Sequence, residues 1–91
     1  MNKLLFALPL LLSPFLLSAQ QIAIQENYLI QGKVFSVKTS KKYASVEGCS
    51  KIALSKSKVE GFSFESKTSE CTLFKKVRKI KAKQGFVSGT K

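Results

Sequence analysis

"EGFSFESKTSECTLFKK", Glu60 to Lys76, is the stretch whose reading decides the fold. Side chains alternate along an extended chain, so Phe62 and Phe64 share one face of a first strand. Cys71 and Leu73 share one face of a second, with Lys75 beyond them. The polar "KTSE" between them reads as the turn that joins the two. A cysteine opening a strand in so lysine-rich a chain asks for a partner, and the chain holds one other, Cys49.

Cys49 lies upstream in "SVEGCSKIALSKSK", where the rhythm is helical. Val46, Cys49 and Ala53 recur at helical spacing, with Ile52 beside them. Ser45 suits the N-cap, because its hydroxyl can accept a bond from an orphan backbone N–H. Glu47 in the first turn and Lys51, Lys56 and Lys58 towards the other end complement the helix dipole. Gly48 weakens the helix by up to about 1 kcal/mol relative to alanine. A helix of about three turns is expected, and packing it on the two strands brings Cys49 against Cys71.

Outward from this centre the chain reads as β. "QIAIQ", within the lead-in Gln20 to Asn27, suits an edge strand. "YLIQGKVFSV", Tyr28 to Val37, carries β-branched and aromatic residues, with Gly32 marking a bulge or a tight turn between two strands. "KTSKKYA" is a basic loop. In "KIKAKQGFVSG", Lys79 to Gly89, Ile80, Ala82, Gln84 and Phe86 point one way and Lys79, Lys81 and Lys83 the other. That is the pattern of a half-exposed strand with a lysine stripe.

Residues 1–19 read as a cleaved secretory signal. Lys3 supplies the positive start, Leu4 to Leu17 the apolar run, and Ser18-Ala19 the small residues for cleavage. The alternative is a membrane anchor, but a spanning helix wants about 20 apolar residues. This run is shorter and is interrupted by Pro9 and Pro14. Cleavage after Ala19 leaves residues 20–91 as a single domain, exported to the periplasm or secreted; the signal suits a bacterium and a eukaryote equally. A domain of this size has a marginal core and gains from a staple. In an exported chain an even cysteine count favours a Cys49–Cys71 disulfide over two buried free thiols. Closing a loop of that length contributes on the order of 3 kcal/mol in the chain-entropy model.

Sixteen Lys and Arg face five Glu, with no Asp, His or Trp. The mature part carries +10, the +11 of the whole chain less Lys3. Such a field attracts sulfated or uronic-acid glycans, anionic lipid head groups, extracellular DNA or acidic proteins. The plainer alternative is that lysine keeps a small exported domain soluble. Without His or Asp the usual Ser-His-Asp and Cys-His constellations cannot be built, so the chain does not read as an enzyme. Neither a zinc site nor a calcium loop has its ligands, and the isolated glycines form no phosphate cradle; no cofactor and no metal are expected.

"SVEGC", "EGFSF" and "SECTLF", taken together, resemble the PAN/apple family of extracellular modules, over roughly Tyr28 to Val87. That family joins a helix-borne cysteine, an aromatic "GFSF"-like strand and a "C-x-L" strand. It commonly carries a second bridge, from four residues after the helix cysteine to just before the "GFSF" strand. Here those places hold Ala53 and Val59, so both partners are lost together, and the terminal bridge of apple domains is absent too. The resemblance implies an α+β fold, a curved antiparallel sheet of about four to five strands with one helix packed across it. It also implies recognition of proteins or carbohydrates, in a minimal version with the single bridge Cys49–Cys71.

The candidate binding surface is the basic run "KKVRKIKAK": Lys75, Lys76, Arg78, Lys79, Lys81 and Lys83, extended by Lys41 and Lys42. Lysines at every second residue of a strand can track the charged groups of an anionic glycan, whereas a merely solvated strand face looks the same in sequence. Phe62, Phe64, Phe74 and Phe86 read as core. The partners expected are an anionic glycan or an extracellular or cell-surface protein, with no specific nucleic acid and no transmembrane segment in the mature chain. The competing reading is a cationic membrane-active or antibacterial effector. That reading prefers a strongly amphipathic cationic helix, and the one candidate, around Ile52, is short and contains a Gly and a Cys.

Overall fold

The computed structural model describes residues 21–91, so the leader read at residues 1–19 lies outside the described residues. Strand β1 spans Ala23–Lys38, helix α1 Val46–Ser55, β2 Gly61–Glu65 and β3 Glu70–Thr90. A short 3₁₀ turn, Lys41–Tyr43, leads into α1. The fold is α+β: one helix and a three-stranded sheet in the order β1-β3-β2.

The helix forms where its capping chemistry places it. Ser45 is extended (φ −158°, ψ 160°) and its Oγ accepts from the Gly48 N–H at 3.0 Å. Cys49 and Ala53 are fully buried, and Val46 and Ile52 pack at their sides. The hairpin of β2 and β3 is also where it was expected. Glu65 pairs with Glu70 across the turn, and the Ser69 N–H donates to the Glu65 carbonyl at 2.8 Å, with Ser69 at φ 61°. Helix and hairpin are tied by the Cys49–Cys71 disulfide, whose Cα atoms stand 5.5 Å apart. The main core gathers around it: Val59, Phe62, Phe64 and Leu73 with the two half-cystines and Ala53. Burying each of the larger apolar side chains contributes about 1.5–3 kcal/mol.

The sheet has three strands, not the four to five expected. The lead-in and "YLIQGKVFSV" form one continuous strand, β1, and the two strands read after Glu70 are one, β3. Both bend at bulges instead of breaking at turns. Gln31 pairs with Lys79 and Gly32 with Val77, leaving Arg78 unpartnered; Lys33 pairs with Lys76 and Val34 with Phe74, leaving Lys75 unpartnered. On the other strand Phe35 is skipped between Val34 and Ser36. Each extra residue bends the strand and increases its twist.

This bending lets β3 border β2 on both sides. Gly61 to Glu65 pair with Phe74 back to Glu70 along one edge and with Thr90 back to Phe86 along the other. Partner numbers fall as those of β2 rise, the antiparallel sense, on either side. Lys75 to Gly85 must therefore leave β2 beside Gly61 and rejoin it beside Glu65, carrying β1 along as a coiled two-stranded ribbon. β2 is covered on both faces in consequence. Phe62 and Phe64 face α1 and the disulfide, whereas Gly61 and Ser63 face the ribbon. A Cβ on Gly61 would stand 2.6 Å from the Gly89 carbonyl oxygen and 3.0 Å from Ile30 Cδ1, so the ribbon's approach requires glycine there. Ser63, 1 % exposed, is satisfied within that interface.

Candidate functional site

All six basic residues expected to form the site lie on the crossing segment of β3, between its two stretches of pairing with β2, and all six are exposed. The strict alternation expected from Lys79 to Phe86 does not hold. Ile80 is half-buried, but Ala82 and Gln84 are exposed, and the pairing with β1 lapses between Ala82 and Val87. Gly85 turns there at φ 89°, a left-handed conformation natural to glycine. The inward residues are instead Phe74, Val77 and Ile80, three apart, because Lys75 and Arg78 are bulge insertions. Val77 and Ile80 line a depression of about 530 Å³ together with Val59 and Glu60. The spacing "FKKVRKI" carried that signal: an apolar residue at every third place of a strand needs one extra residue per step.

Directly opposed residues on paired strands project to the same side. The ribbon's inner side holds the Ile30–Ile80 pair, Ile30 being 2 % exposed. Its outer side therefore holds Leu29–Lys81 and Gln31–Lys79, and beyond the Arg78 bulge Lys33–Lys76. Residues two apart on one strand are spaced by about 6.6 Å, so Lys79 and Lys81 follow one another along the same side of β3. The Lys33–Lys76 rung sets like charges opposite one another, which is destabilising unless an anion lies between them. Lys33 was missed in the sequence because only the β3 run was dense enough to draw notice; Gln31 and Lys33 do alternate with Ile30 and Gly32 on their own strand.

The remaining lysines are not gathered here. Lys83 lies past the paired rungs and lines a separate depression of about 470 Å³ with Glu65, Ser66 and Lys67. Lys42 borders the helix, its Nζ 5.3 Å from the centre of the Tyr43 ring, in a depression of about 310 Å³ shared with Lys51 and Ile52. Lys41 and Lys42 lie in the 3₁₀ turn before α1, not on either strand of the ribbon.

Glu60 has a structural task at the bend. Its carboxylate accepts from the Val77 N–H at 2.9 Å, its own N–H donates to the Phe74 carbonyl at 2.7 Å, and its carbonyl accepts from the Lys91 N–H at 2.9 Å. It thereby satisfies a backbone donor of β3 where β2 pairing has ended. Among the described residues no three His, Cys, Asp or Glu side chains gather as a metal site, and no helix is long and apolar enough to cross a membrane. What the outer face offers chemically is a set of exposed cations on a paired backbone, able to bind anions. The chain matches no model of a known protein family and none of the characterised proteins with which it was compared.

Proposed function

We propose that this chain is an exported binding module of PAN/apple type that recognises anionic glycans through the outer face of the β1–β3 ribbon. The observation that carries the reading is the ladder itself. Lys33, Lys76, Lys79 and Lys81 stand on one side of a paired two-stranded ribbon, and the bulge residues Lys75 and Arg78 are exposed along it. A glycan with sulfate or carboxylate groups along its length meets successive cations there. The helix stapled to the central hairpin by Cys49–Cys71 supports the PAN/apple assignment, and the apolar leader followed by a disulfide-linked domain supports export. Lys83 belongs at most to the margin of this surface.

The test is binding of the oxidised protein to sulfated, uronic-acid and neutral glycans across a salt series. Binding to one anionic glycan that persists near 0.15 M salt, where the Debye length is about 8 Å, supports a shaped site. Equal binding to every polyanion, gone by that salt, overturns it in favour of a solvated basic face. Leakage of dye from anionic vesicles at low protein concentration overturns it in favour of membrane action.

A further inference from the structure

A second surface of different character lies on the free edge of β1. In the sheet order β1-β3-β2, β1 borders β3 alone. Exposed sheet edges are ordinarily guarded by charge, because their unpaired backbone groups recruit other strands. Here the C-terminal half of β1 exposes apolar residues instead: Val34 is 51 % exposed, Phe35 37 % and Val37 50 %. Phe35 is the bulge residue, outside the β3 pairing, and it lines a depression of about 240 Å³ whose other walls are Ser55, Lys56, Ser57 and Lys58.

The charges on this half of β1 and on the rim of the depression are all of one sign. From Asn27 to Val46 the chain has no acidic residue, while Lys33 and Lys38 flank the apolar triplet and Lys56 and Lys58 rim the depression. We infer that the β1 edge at Val34–Lys38 takes up an extended acidic segment of a partner protein as an added strand. An apolar side chain of that segment seats against Phe35, and its carboxylates meet Lys38, Lys56 and Lys58. Strand addition draws affinity from main-chain hydrogen bonds and specificity from side-chain pockets, and the edge and the Phe35 depression supply one of each. A second copy of this chain is a poor occupant. Edge-to-edge pairing of two such segments would bring the flanking lysines of both copies together within a strongly cationic dimer.

The inference is independent of glycan binding, which uses the ribbon's outer face. Its test uses a ten-residue peptide alternating Val and Glu and a counterpart with Lys in place of Glu, each titrated into the oxidised protein. Amide hydrogen exchange and sedimentation are the readouts. The expected result is saturable binding of the Glu peptide alone, with slowed exchange at Val34 to Lys38. Phe35→Gln and, separately, Val37→Gln, both at exposed positions and neither adding charge, weaken it by about tenfold or more, the loss of one anchor. Lys79→Gln with Lys81→Gln leaves it unchanged. Equal binding of both peptides, slowed exchange elsewhere than β1, or no binding overturns the inference. So does a dimer of the unliganded protein that Val37→Gln dissolves, which would give the edge to a second copy.

Discussion

Ser63 shows how much of this fold turns on single side chains. It sits in the middle of β2, between two phenylalanines, on the face that meets the ribbon. Its Oγ accepts from the Ile30 N–H at 3.0 Å and lies 2.6 Å from Ser88 Oγ, and Ser88 Oγ donates to the Tyr28 carbonyl at 2.6 Å. Since Ser88 gives its proton to Tyr28, Ser63 must give its own to Ser88, and the relay has one consistent direction. It replaces ladder bonds that β1 cannot make where the ribbon passes behind β2. Ser63→Ala leaves the Ile30 N–H and one Ser88 lone pair without partners in a buried place. A loss of about 1–3 kcal/mol is expected in urea unfolding, the cost of an unmet buried polar group. Gly61→Ala tests the same interface by volume: the added methyl meets the Gly89 carbonyl and Ile30, and a similar loss of about 1–3 kcal/mol is expected from overpacking. Were both variants as stable as the parent, the ribbon would not lie against β2 as described.

At the scale of elements, the staple has a measurable role. Cys49 and Cys71 are both 0 % exposed and close a loop of sequence separation 22. Replacing both by alanine is expected to lower stability by about 3 kcal/mol or more, from restored chain entropy in the unfolded state and the poorer packing left where the buried sulfurs stood. For a domain this small that is a large part of the total, so a shift of the thermal midpoint by many degrees is the readout. The helix and the hairpin were legible in the sequence because their determinants are local. A cap at Ser45, a helical apolar spacing and a four-residue polar turn each act within a few residues. The long strands were not legible. Whether Gly32 and "KKVRK" end a strand or bend it depends on which chain lies opposite, and pairing partners some fifty residues apart leave no local mark. Only the three-residue spacing of Phe74, Val77 and Ile80 carried the bulges in its pattern. A period of three has no meaning on a strand until bulges are allowed for.

At the scale of the whole molecule, the proposed glycan face would set stability against recognition through its charge. Five of the six basic residues singled out in the sequence stand along the ribbon, because density of charge on one strand is visible without its partner. Lys33 was invisible as a site residue, because only the register places it opposite Lys76. That rung separates a binding face from one that merely keeps the protein in solution. Two like charges held opposite each other cost roughly 0.2–1 kcal/mol in the free protein. Lys33→Gln is therefore expected to raise the free energy of unfolding by a few tenths of a kcal/mol at low salt, and less as salt screens the pair. If an anionic chain lies across the rung, the same substitution weakens glycan binding. It also makes that binding less dependent on salt, by about the one counterion that Lys33 would have released from the glycan. Lys67→Gln, on the turn of the hairpin and off the paired rungs of the ribbon, serves as the control for net charge. A face that only solvates the protein gives equal losses of binding for the two variants. A recognition face gives opposite signs at Lys33, with stability gained and binding lost, while Lys67→Gln moves neither beyond the small effect of one surface charge. Urea unfolding and glycan titration of the two variants, each at two salt concentrations, decide between them.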